Sequence, residues 1–124
     1  MIVLIAANLA LAQAGGSVLH LFTEPEFCAI MQRNIAAQPV QDHPPIRVSG
    51  MVADCRAKRV RAAVHIAQVG QQYTATKDSF VAVARSGVCN LSDPTMRAFH
   101  QRGWKFAYRF SSSDGQTGDV TLTC

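Results

Sequence analysis

Histidine and cysteine, with four of each, are the side chains here most able to do chemistry. The histidines are His20, His43, His65 and His100. No two are spaced i, i+2 or i, i+4, so no strand or helix presents a pair of imidazoles to one metal ion. Cys28, Cys55, Cys89 and Cys124 form no CxxC pair and match no zinc spacing. The serines lack a GxSxG setting. Gly115 and Gly118 belong to a hairpin turn, not to a phosphate loop that follows a strand. Glu24 and Glu26 flank Pro25 at a helix start, where the helix dipole accounts for them. Asp114 and Asp119 sit in or beside a turn, and nothing requires them to face each other across a cleft as a glycosidase pair must. The sequence therefore assigns no catalytic residue, no metal ligand and no cofactor. The hydrolase reading that survives assembles its site across elements, from His65 or His100 with a carboxylate.

The cysteines acquire a meaning from the first residues. Residues 1–14, MIVLIAANLALAQA, carry no charged side chain and end in Ala12-Gln13-Ala14. This small-x-small ending has the form of a signal-peptidase site, and the apolar run is shorter than the roughly 20 residues a spanning helix needs. No Lys or Arg precedes the run, which departs from the usual signal pattern. The expectation is a signal peptide over 1–14 and one domain over 15–124, in the periplasm or outside the cell. No transmembrane segment is expected in the mature chain. In that oxidising setting four cysteines predict two disulfides. Their positions favour Cys28–Cys55 and Cys89–Cys124, one bond in each half.

Composition narrows the function classes. The 124 residues suit a single domain, and 48% hydrophobic content is ordinary for a globular chain. Charged residues are sparse at 16%, and the net charge is +4. The most distinct charge feature is CRAKRVR, which holds Arg56, Lys58, Arg59 and Arg61. On an alternating strand Arg59, Arg61 and His65 fall opposite Val60, Ala62 and Val64. Lys105 and Arg109 alternate in the same way along the Trp104 strand. If both strands share a sheet, Arg56, Lys58, Arg59, Arg61, His65, Lys105 and Arg109 form a basic face. Such a face suits an acidic protein or a polyanion. It equally suits plain solvation, with Lys and Arg discouraging edge pairing. Binding of single-stranded nucleic acid calls for aromatics among the charges. Here Trp104, Phe106, Tyr108 and Phe110 alternate to the other side, as a core stripe would.

The elements that position these residues follow from local signals. Thr23-Glu24-Pro25-Glu26 starts a helix, with Phe27, Ile30, Met31 and Ile35 at helical spacing and Pro39 beyond its end. Val40 to Pro45 reads as a loop. Ile46 to Cys55 reads as a strand broken at Gly50, and Arg59 to Val69 as its partner. Tyr73 to Thr76 suits a third strand. Lys77 to Gly87 suits a short helix capped by Asp78, which is preferred, or a strand over Phe80-Val81-Ala82-Val83. Ser92-Asp93-Pro94 starts another helix, stopped at Gly103. The Trp104 strand, the Ser113-Asp114-Gly115 turn and the strand ending at Cys124 form the clearest hairpin. The prediction is an α+β fold: a four- or five-stranded antiparallel sheet packed under two or three helices, in two helix–hairpin halves. The function expected is a non-catalytic binding protein whose partner is another protein: an inhibitor, an immunity-type protein or an envelope accessory factor. The rivals are the hydrolase above and a basic binder of nucleic acid or anionic lipid.

Overall fold

A computed structural model describes residues 21–124, so the proposed signal and His20 lie outside the described residues. Among the described residues, three helices and five strands follow in order: α1 (Glu24–Ala36), β1 (Gln41–His43), β2 (Ile46–Asp54), β3 (Arg59–Ile66), α2 (Gly70–Val88), α3 (Pro94–Gln101), β4 (Lys105–Ser112) and β5 (Thr117–Thr121). The strands form one sheet in the order β1-β2-β3-β4-β5. No helix among the described residues is long and apolar enough to cross a membrane.

The sheet is mixed, which corrects the expectation of an all-antiparallel one. β3 and β4 run parallel at its centre, Arg59 opposite Lys105 and Ile66 opposite Ser112. All other neighbours are antiparallel. The cause is the connection. α2 and α3 carry the chain from the end of β3 back to the end of the sheet where β3 began, and such a crossover delivers the next strand parallel. It also rules out two equivalent halves. The strands run up, down, down, up from β2 to β5, and no rotation that keeps the helices on one side maps β2–β3 onto β4–β5.

α1 begins where its sequence says it should. The Thr23 hydroxyl accepts from the Glu26 amide, and the Glu26 carboxylate accepts from the Thr23 amide at 2.9 Å. That reciprocal pair satisfies two otherwise orphaned donors. α3 is capped by Asp93, whose carboxylate accepts from the amides of Thr95 at 2.8 Å and Met96 at 3.3 Å. α2 departs from expectation. It starts at Gly70 with no side-chain cap, absorbs Tyr73–Thr76, and places Asp78 inside the helix. Tyr73, Phe80, Ala84 and Val88 are the buried residues of α2. Packing, not capping, fixes this helix, as tertiary burial often overrides local propensity. The segment read as a loop before Pro44 contains the short β1, held by three residue pairings with β2. β3 ends at Ile66, three residues short of the expected Val69. Gly50, at φ +62°, sits in the irregularity between Ser49 and Val52, where β2 slips register against β3.

One core lies between the helices and one face of the sheet. Trp104, Phe106, Tyr108 and Phe110 enter it from the β4 side, and Val60, Ala62, Val64 and Ile66 from β3. Phe80 meets Tyr108 and Phe110 edge-on, with ring centroids 5.2 and 5.5 Å apart. Phe99 lies 4.8 Å from Phe106, and Phe27 lies 5.8 Å from Trp104. Burial drives the Tyr108 hydroxyl pKa far above its ordinary value.

Two disulfides staple the halves. Cys28 of α1 bonds Cys55 just after β2, and Cys89 at the end of α2 bonds Cys124 beyond β5. This is the pairing expected from one bond per half. With sequence separations of 27 and 35 residues, each restricts the unfolded chain enough to contribute about 3–4 kcal/mol. Between the halves sits a charged clamp. Glu24 accepts from Arg102 Nη1 at 2.8 Å and from Trp104 Nε1 at 3.2 Å, with Lys58 Nζ at 3.8 Å. Burial alone would raise the Glu24 pKa. The hydrogen bonds from Arg102 and Trp104 and the charges of Lys58 and Arg102 outweigh it and hold the carboxyl below its ordinary range.

Candidate interaction face

All three helices contribute to the core on one side of the sheet. The other face carries the residues that alternate with it. On β3 these are Arg59, Arg61, Ala63 and His65, and on β4 Lys105, Ala107, Arg109 and Ser111. The parallel register sets Arg59 beside Lys105, Arg61 beside Ala107, Ala63 beside Arg109 and His65 beside Ser111. Five of the seven residues expected on a basic face therefore share this surface. The other two do not. Arg56 is exposed in the β2–β3 turn. Lys58 turns toward the helices, its Nζ donating to the Arg102 carbonyl at 2.9 Å.

The face is mixed in sign, not uniformly basic. Arg61 pairs with Asp54 at 2.5 Å, Arg109 with Asp119 at 3.1 Å, and Arg47 with Asp42 at 3.2 Å. The backbone amide of Ala57, followed by the Arg61 guanidinium, holds the Asp54 carboxyl below its ordinary pKa. Sequence reading missed these acids as members of the face because each arrives from a neighbouring strand. Their only sequence signal was an acid placed to pair across a strand from an arginine.

In the middle of the face lies a shallow trough of about 490 Å³. Gly50, Ala63 and Ala107 line its floor; Arg59, Arg61, Arg109 and Asp119 stand around it. The small floor residues let another chain approach the sheet, and the rim supplies charge-assisted hydrogen bonds. A second hollow, about 230 Å³ between the end of α1 and β2, is lined by no charged side chain.

The histidines divide by role. His65 Nδ1 is 2.8 Å from Ser111 Oγ on the open face. A serine activated by histidine needs an orienting group and free amides for an oxyanion. No carboxylate contacts His65 among the described residues, and the neighbouring strand amides are engaged in the sheet ladder. His100 is tied to the fold: its Nε2 lies 2.7 Å from the Val88 carbonyl and 3.6 Å from Cys124 Sγ. His43 is exposed in β1. No cluster of three His, Cys, Asp or Glu able to hold a metal ion occurs among the described residues.

Comparison with known proteins adds no relative: the chain matches no family model, and no curated protein or solved structure is similar to it. The reading of function rests on the surface itself.

Proposed function

We propose that this is an exported, disulfide-stabilised, non-catalytic binding protein that engages another protein through the open face of its sheet. An inhibitor, an immunity-type protein and an envelope accessory factor all fit this description. Both disulfides suit the periplasm or the cell exterior. A signal over residues 1–14 would deliver the chain there. The observation that carries the binding claim is the trough at the parallel β3–β4 pair, which no described residue covers and which is rimmed by charges of both signs. Sheets of parallel strands are normally covered on both faces, and among the described residues this central pair is covered on one. Charges of both signs favour a protein partner over a polyanion. Asp42, Asp54 and Asp119 would repel nucleic acid or anionic lipid, whereas a protein can present matching signs. No Phe, Tyr or Trp of β3 or β4 lies on this face to stack bases.

Two experiments test this. Intact mass of protein exported by its native host should show a start at Gly15 and a mass lower by four hydrogens; a full-length chain with alkylatable thiols would remove export and disulfides together. Capture from a native envelope extract should fail with R61E/R109E and survive with R33E/R85E, which changes net charge equally on the helical side. Equal loss in both variants would refute the open face as the interface. The rival reading is a hydrolase with its site around His65, whose Nδ1 lies 2.8 Å from Ser111 Oγ. Covalent labelling of Ser111 by a fluorophosphonate, abolished by His65→Ala, would establish it.

A further inference from the structure

The cations of the open face are not equivalent. Arg47, Arg61 and Arg109 each have a carboxylate within 3.2 Å. Among the described residues, the Arg59 guanidinium donates only to the backbone carbonyls of Ala57 and Lys58, both at 3.2 Å. Lys105 makes no side-chain hydrogen bond or ion pair among the described residues, although it stands directly across from Arg59 in the parallel register. Like charges side by side on neighbouring strands are destabilising. Asp54, opposite Arg59 on the other side, is committed to Arg61 and to the Ala57 amide. Arg56 adds a further exposed cation in the adjoining turn. Arg59, which lines the trough, and Lys105 beside it thus form a cationic pair with no carboxylate partner among the described residues, while the arginines on the rest of the face are each paired.

On the reading that the open face binds a protein, we infer that the Arg59–Lys105 pair at the margin of the trough receives a carboxylate of an extended acidic segment of that partner. Adjacent strands lie about 4.8 Å apart, so the two cations can share one carboxylate. In an extended peptide, side chains two residues apart are separated by about 7 Å, the spacing of Arg59 and Arg61 along β3. An extended acidic segment therefore sets one carboxylate between Arg59 and Lys105, while the residue two positions on falls beside Arg61, which Asp54 already neutralises. The segment's backbone then lies over Ala107 and Ala63, which offer no bulk against it. The arginine forks give bidentate geometry, and the like-charge pair gains on binding the counter-charge it lacks in the free protein.

The test is fluorescence anisotropy of a fluorescein-labelled peptide of alternating Glu and Thr, titrated with the intact, oxidised chain. Saturable binding is expected, absent for the Gln–Thr peptide and weakened at least about tenfold by R59E/K105E, with R33E/R85E close to wild type. Raising salt from about 50 to 200 mM should weaken it further as the Debye length shortens. If R59E/K105E does not fold by circular dichroism, R59Q/K105Q replaces it with the same expected direction. Absence of binding to the Glu–Thr peptide, or binding indifferent to these variants, overturns the inference. So does tighter binding of an oligo-dT strand or of phosphatidylglycerol vesicles. Partner capture lost in R61E/R109E but kept in R59E/K105E would preserve the open face as the interface and remove the acidic segment alone.

Discussion

The two faces of the sheet are built from alternate residues of the same strands, yet they obey different rules. On β4, Phe106, Tyr108 and Phe110 are almost wholly buried, while Ala107 and Arg109 between them face outward. The inner face is aromatic and tightly interlocked. The outer face is small at its centre and charged at its rim. The inner face answers to packing, which determines whether the chain folds. The outer face holds side chains that packing does not need, so their arrangement is free to serve a partner.

Adjacent substitutions on β4 should separate these roles most sharply. Phe106→Ala removes a ring whose centroid lies 4.8 Å from that of Phe99 and should cost about 3–5 kcal/mol in denaturant unfolding. Ala107→Ser, its neighbour, should stay within about 0.5 kcal/mol. Similar losses at both positions would erase the distinction between the faces. Next come the staples. C28S/C55S and C89S/C124S should each lower stability by about 3–4 kcal/mol, read as a shift in urea midpoint. A much smaller loss in one pair would mean that half is held by packing alone.

How far the sequence revealed each face follows from how local its causes are. The start of α1 was legible because Thr23 and Glu26 complete their cap within four residues. The aromatic stripe of β4 was legible because alternation depends only on the strand itself. The start of α2 was not legible. Val69 gives no side-chain cap, and Tyr73 and Thr74, which favour strands in isolation, are drawn into a helix whose buried residues include Tyr73 and Phe80. The parallel register was hidden because it depends on where the whole α2–α3 crossover returns the chain. The basic residues of the candidate site were visible one strand at a time. Their neutralising partners Asp54 and Asp119 were not, because pairing across strands requires the register.

The clamp between the halves should respond to acid. Since Glu24 titrates below its ordinary 4.5 in the folded protein, its contribution is complete above that pH. It is lost as pH falls through the lowered folded value. Its side chain is 38% exposed, so solvent screening limits the contribution to about 1 kcal/mol. Glu24→Gln should be less stable than wild type at neutral pH and lose less stability on acidification. Parallel acid curves for the two proteins would show that Glu24 does not link the halves. An ion pair of the open face should matter little to the fold: Arg61→Ala should change stability by less than about 1 kcal/mol, as expected for an exposed ion pair, while weakening partner capture.

Site-specific photo-crosslinking in the native host tests the central claim most directly. A photoreactive amino acid at Ala107, on the trough floor, should give a discrete higher-mass adduct with a second protein. The same residue at Ala82, exposed on α2, should give none. An adduct from Ala82 with none from Ala107 would contradict the account and move the working surface to the helices.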